Sequence, residues 1–143
     1  MPETARVEPS ASLGASFATA LAAKDFDRIR KLLHPEIDFR GLTPRRAWEA
    51  SDPDALIDGA LRQWFDDSDE IEELEKVETD AFADRERVGY RFRVRNPEGL
   101  FRVEQQVYIG ERDGRIGWMR VVCSGYRPVE GQVPGQVAGL ASA

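Results

Sequence analysis

The stretch RVGYRFRVRNPEGLFRVEQQVYIGERDGRIGWMRVVCSGY, Arg87 to Tyr126, decides the fold. Its apolar residues recur at every second position in three long segments. Asn96-Pro97-Glu98-Gly99 and Asp113-Gly114 separate the segments, which is the pattern of a three-stranded antiparallel meander. Side chains alternate between the two faces of a strand, so the pairing register sets which residues share a face. With Asn96 to Gly99 as the first loop, Val94 faces Phe101, Phe92 faces Val103, Tyr90 faces Gln105 and Val88 faces Val107 on an apolar side. Arg93 with Arg102 and Arg91 with Glu104 fall on a charged side. Asp113-Gly114 suits a two-residue type I′ turn, which then pairs Ile109 with Trp118, Val107 with Arg120 and Gln105 with Val122. In that register Arg120 and Gln105 stand on the apolar face beside Tyr90, Phe92 and Trp118. A bulge near Gly110 or Gly117 reverses the last strand and exchanges Arg120 for Met119 and Val121, and both registers stay open.

The chain of 143 residues, 41% hydrophobic and 32% charged, has the size and composition of one soluble globular domain. No apolar run approaches the roughly 20 residues that span a bilayer. The opening Met1-Pro2-Glu3-Thr4-Ala5-Arg6 lacks the order of a signal peptide, so the expected location is cytoplasmic. The single cysteine, Cys123, excludes an internal disulfide. A net charge of −6, with acids concentrated from Asp66 to Glu78, argues against a nucleic-acid partner. The basic patch of Arg87, Arg91, Arg93, Arg95 and Arg102 reads as an outward strand surface paired with Glu104 and its neighbours.

Around the meander, Ser10 or Ser12 caps a helix with Leu13, Phe17 and Leu21 on one face. Asp25 caps a second helix that turns Phe26, Ile29, Leu32 and Leu33 inward and stops at His34-Pro35. Glu36 to Arg40 is a short strand, and Pro44 opens a short helix through Trp48. Ser51-Asp52-Pro53-Asp54 starts a lid helix with Leu56, Ile57, Ala60, Leu61, Trp64 and Phe65 on one stripe. Ile71 to about Phe82 is a further strand. The reading is an α+β domain over residues 10–127, a curved antiparallel sheet with helices on one face. Residues 1–9 are expected to be disordered and 128–143 a mobile extension.

This order of elements, with AAKDFDRIRKLLHPEIDFRGL from Ala22 to Leu42, resembles the nuclear-transport-factor-2-like superfamily, which includes SnoaL-like polyketide cyclases and ketosteroid isomerases. The likeness covers roughly residues 12 to 127 by alignment of elements. It implies a cone-shaped cavity between helices and concave sheet, and dimers through the convex face. Relatives of the isomerase type use a carboxylate base with a tyrosine-plus-acid oxyanion site, and the cyclases an aspartate on a strand. The inward meander positions of this chain offer Tyr90, Gln105 and Arg120 instead.

The expected ligand site is therefore Tyr90, Gln105 and Arg120 as donors, with Trp48, Trp64, Phe92 and Trp118 as apolar walls. The matching ligand is a small apolar molecule bearing a carbonyl or carboxylate. Tyr90, Gln105 and Arg120 equally suit a closed set that satisfies itself or a core acid such as Asp38. His34, Asp38 and Arg120 are the candidates for acid–base chemistry, although His34 at a helix end also fits a C-terminal cap. Cys123 reads as structural, and no metal-ligand spacing or cofactor loop is present, so neither a metal nor a cofactor is expected. Two functions fit. One is a pocket protein, possessing or lacking isomerase, cyclase or dehydratase activity without a cofactor; the other is a non-catalytic homodimeric accessory module whose cone is filled by its own side chains. A cavity of about 300 Å³ or more lined by the three donors separates them.

Overall fold

The computed structural model describes residues 12–129, and the expectations for 1–9 and for the chain beyond 129 lie outside those residues. Ser12 caps α1 (Leu13–Ala22), its side chain accepting from the N–H of Ala15. Asp25 caps α2 (Phe26–Leu32) through the N–H of Arg28. Both starts follow from side chains that supply acceptors to otherwise orphaned helix donors.

The chain then enters β1 (Leu33–Thr43) directly. Ile37 and Phe39 are buried and Asp38 and Arg40 exposed, as alternation requires. Residues 46–50 form β2 (Arg46–Ala50), not the expected helix through Trp48. Arg45 takes a φ of 74° in the turn after Pro44, and Gly41 faces Trp48 across the hairpin. Pairing with β1 satisfies the backbone of this short segment, and a one-turn helix offers less.

Asp52 caps the lid, which runs through α3 (Pro53–Leu56), a π-helical segment (Ile57–Leu61) and α4 (Arg62–Trp64). Its stripe of Leu56, Ile57, Ala60, Leu61, Trp64 and Phe65 is buried, as read from the sequence.

The remaining strands are β3 (Glu70–Phe82), β4 (Arg85–Asn96), β5 (Gly99–Arg112), β6 (Arg115–Cys123) and the short β7 (Arg127–Pro128). Seven strands make one sheet among the described residues, in the order β2-β1-β6-β5-β4-β3, with β7 beside β5. β1 and β6 run parallel and the other pairs antiparallel, so the sheet is mixed. The β4–β5 register is the expected one, from Val94 opposite Phe101 to Val88 opposite Val107.

The β5–β6 register is not. Asp113 and Gly114 do form the positive-φ turn, with Arg112 opposite Arg115. One extra residue then intrudes at Gly117, so that Gly110 faces Trp118, Ile109 faces Met119 and Val107 faces Val121. A Cβ at Gly117 would stand 2.5 Å from Arg112 Cβ, and glycine alone admits this bulge. Met119 and Val121 therefore fill the core, and Trp118 and Arg120 are moved to the outer face.

Aromatic rings occupy the depth of the sheet's inner side. Phe17 meets Tyr90 at 6.3 Å, Tyr90 meets Phe92 at 5.0 Å, Phe92 meets Phe65 at 5.5 Å and Phe65 meets Tyr126 at 6.2 Å. Burial of such side chains is worth about 1.5–3 kcal/mol each, so this row helps hold the helices to the sheet. The outer face carries the expected arginine ladder. Arg91 pairs with Glu104, Arg93 and Arg95 with Glu72, and Arg102 with Glu75.

Candidate functional site

The expected constellation does not assemble. Arg120 lies outside, its guanidinium 2.9 Å from the carbonyl of Asp38, bridged to the Asp38 carboxylate and 4.4 Å from the Trp118 ring. Arg85 stacks on the same ring at 4.0 Å. The acid that satisfies Arg120 is thus Asp38, but on the outer face and not in the core. Asp38, Arg120 and Trp118 form a surface cluster remote from the aromatic row.

Tyr90 and Gln105 do meet, fully buried, with the phenol donating to Gln105 Oε1 at 2.5 Å. Phe92 packs against Tyr90. Phe17 and Phe92 pack on the Tyr90 ring and Gln105 is fully buried, so the pair lies within the core. Burial, with the Cys123 thiol as a second cause, holds the Tyr90 phenol well above its usual range. Gln105 Nε2 finds no oxygen or nitrogen acceptor among the described residues. It is felt at Cys123, its cross-strand partner, where it lowers the thiol pKa against the larger upward push of burial.

His34 does not cap α2. It sits within β1, where Nδ1 accepts the N–H of Glu36 at 3.0 Å and Nε2 lies 3.2 Å from Asp113 Oδ2 in the β5–β6 turn. It is nine residues back from Thr43 along β1, roughly 30 Å at strand rise. The imidazole fastens a turn and stands far from any pocket that Thr43 lines.

A cavity of about 450 Å³ lies at the open end of the aromatic row. The end of the lid (Trp64 to Asp69), the β1–β2 turn (Thr43 to Arg45), the β4–β5 loop (Asn96, Glu98) and the segment Cys123 to Arg127 surround it. Trp64 is the one expected wall residue that lines it. Trp48 backs Trp64 edge-on at 5.8 Å and donates its Nε1 to Thr43 Oγ1 at 2.8 Å.

Asp69 is the buried ionisable side chain of this mouth, 8% exposed. Its Oδ1 accepts from Asn96 Nδ2 at 3.0 Å and its Oδ2 from the N–H of Asp66 at 3.1 Å. Lys24 Nζ reaches the carbonyl oxygens of Asp66 and Asp69 and fixes the loop from behind. Hydrogen bonds from the Ser68 hydroxyl and N–H hold the Asp66 carboxyl below the usual carboxylate range.

Tyr126 donates to the carbonyl of Trp64 at 2.7 Å. Burial first, and the nearby Asp69 carboxylate second, raise its phenol far above the ordinary value, so it is a permanent donor. Gly125 precedes it at a φ of +79°, with Pro44 Cγ 2.7 Å from where a Cβ would be. Glycine is what lets the chain turn Tyr126 back over Phe65 and Phe101.

Asp69, Asn96 and Tyr126 were not singled out in the sequence, and Cys123, read as structural, also lines the mouth. The available signals were the Asp66-Asp67-Ser68-Asp69 turn chemistry and Gly125 before an aromatic. Neither reports which elements meet in space. Among the described residues, no three His, Cys, Asp or Glu side chains gather as a metal-ligand set, and no helix is long and apolar enough to cross a membrane.

No family model matches the sequence and no curated protein does. Solved structures do match. A provisionally named isomerase from Rhodopseudomonas palustris aligns over 92% of this chain and 96% of its own, with a TM-score of 0.66 and 14% identity. A nuclear-transport-factor-2-like protein from Burkholderia xenovorans aligns over 78% and 86%, with a TM-score of 0.59 and 19% identity.

The chain has the nuclear-transport-factor-2-like fold.

A provisionally named polyketide cyclase from Xanthomonas campestris shares it, with a TM-score of 0.61 at 16% identity over 77% of this chain and 86% of that one. At such identities the likeness carries the nuclear-transport-factor-2-like architecture and not an activity.

Proposed function

We propose that this chain is a small-molecule-binding domain whose ligand occupies the mouth of the cone, with the depth filled by the protein's own rings. The observation that carries this reading is a cavity of about 450 Å³ with a buried carboxylate, Asp69, beside the aromatic walls Trp64, Phe65 and Tyr126. Pockets of this size with few polar groups among apolar walls are the usual form of small-ligand sites. Any turnover would be cofactor-independent acid–base chemistry of the isomerase, cyclase or dehydratase type. Asp69 would take or return a proton, while Tyr126, whose hydroxyl proton is given to the Trp64 carbonyl, would hold the lid end and the aromatic wall in place.

The filled interior around Tyr90 and Gln105 favours the second reading, a non-catalytic homodimeric accessory module. Leu42 and Val122, exposed and paired side by side on the outer face, are the natural dimer contact. Native mass spectrometry of the cytoplasmically expressed protein separates the two. A co-purified compound that is lost in Trp64→Ala, with dimer mass unchanged, supports the pocket reading. A clean apo dimer that no screened compound stabilises supports the accessory module.

A further inference from the structure

Resting on the pocket reading, we infer that the ligand of the mouth presents a hydrogen-bond-donating head, an alcohol or an amine, to Asp69, and not a carboxylate. The arginine expected to receive an acid is on the outer face, bound to Asp38. In the mouth itself the buried charge is anionic. Asp69 is 8% exposed, whereas Arg45, Asp66, Glu98 and Arg127 are rim residues open to water.

Each carboxylate oxygen has two lone-pair sites, and the bonds from Asn96 and the Asp66 N–H occupy one on each oxygen. The Tyr126 hydroxyl, which donates to the Trp64 carbonyl, also lies against Asp69, so at least one acceptor site remains on a carboxylate at the pocket wall. Lys24 engages the carbonyl oxygens of residues 66 and 69, so its ammonium offsets part of the local charge from behind without offering an anion a place in the cavity.

A donor head completes Asp69. A carboxylate head brings a like charge to a low-dielectric wall, where neither charge is screened as it would be in water. Trp64, Phe65 and Tyr126 take the apolar body, and their faces attract a cationic head as well as a neutral one.

The test uses three probes of one body, tryptamine, tryptophol and indole-3-propionate, titrated into the intact protein by calorimetry. Tryptamine and tryptophol binding at least about tenfold more tightly than the carboxylate supports the inference. Their relative order tells whether charge or hydrogen bonding dominates. Asp69→Asn, checked for folding by circular dichroism, should weaken tryptamine about tenfold and narrow the gap to the carboxylate.

Equal or tighter binding of indole-3-propionate overturns the inference while leaving the pocket reading intact. Loss of that binding in Arg127→Ala would then place the acid at the rim. Failure of all three probes to bind a cavity large enough for each overturns the pocket reading and the inference together.

Discussion

Replacing Tyr90 by Phe strips the donor from Gln105 Oε1 without changing the packing of the ring. Both residues are 1% exposed or less and the bond is 2.5 Å long. Gln105 Nε2 has only the thiol of Cys123 beside it, so Tyr90→Phe removes the one strong hydrogen bond of the amide in the core. A buried polar group deprived of its partner costs about 1–3 kcal/mol, or a fall in Tm of roughly 4 °C per kcal/mol at this chain length.

Gln105→Leu removes the amide and strands only the phenol, so it costs less than Tyr90→Phe. The double variant strands nothing. It is expected to be more stable than Tyr90→Phe alone, with a coupling of about 1–2 kcal/mol in the cycle. Urea unfolding at constant m-value measures all four corners. Additive losses within about 0.5 kcal/mol, or loss of ligand binding in a folded Tyr90→Phe, would refute the view that this pair is a closed structural couple.

Arg120→Ala, Asp38→Asn and their double should give a coupling below about 1 kcal/mol in the same assay, because the pair is partly solvated. Gly117→Ala, whose new Cβ meets Arg112 Cβ at 2.5 Å, should cost about 1–3 kcal/mol; a neutral result would mean that the bulge is absent. Cys123, Tyr90 and Tyr126 all have raised folded-state pKa values. Each therefore contributes stability that is complete below its unfolded pKa, about 8.5 for the thiol and about 10 for the phenols, and is lost as pH rises toward the folded value. Cys123→Ala should accordingly move the onset of alkaline destabilisation, followed by Tm against pH, from about 8.5 to near 10.

The sequence made the scaffold readable where a local rule sufficed. Ser10 or Ser12, Asp25 and Ser51-Asp52 signal helix starts because such side chains fit the cap, and taking Asn96-Pro97-Glu98-Gly99 as the loop gives the β4–β5 register that is observed. The site was not readable for two reasons. A single glycine, Gly117, adds one residue to β6 and turns every later side chain to the other face, which removes Arg120 from the interior. The mouth residues come from four separated segments. Asp69 follows the lid, Asn96 ends β4, Thr43 ends β1, and Gly125-Tyr126 follow β6. No period or spacing links them, and only the folding of the lid and loops against the sheet brings them together. The same limit explains β2, where pairing with the edge of β1 overrode a plausible proline-initiated helix.

The most direct test of where this protein meets its ligand is a crystallographic fragment screen. Fragments are expected to gather in the mouth, against Trp64, Phe65 and Tyr126 with donors on Asp69. Fragments lodged instead between Phe17, Tyr90 and Gln105, with those side chains displaced, would contradict the account.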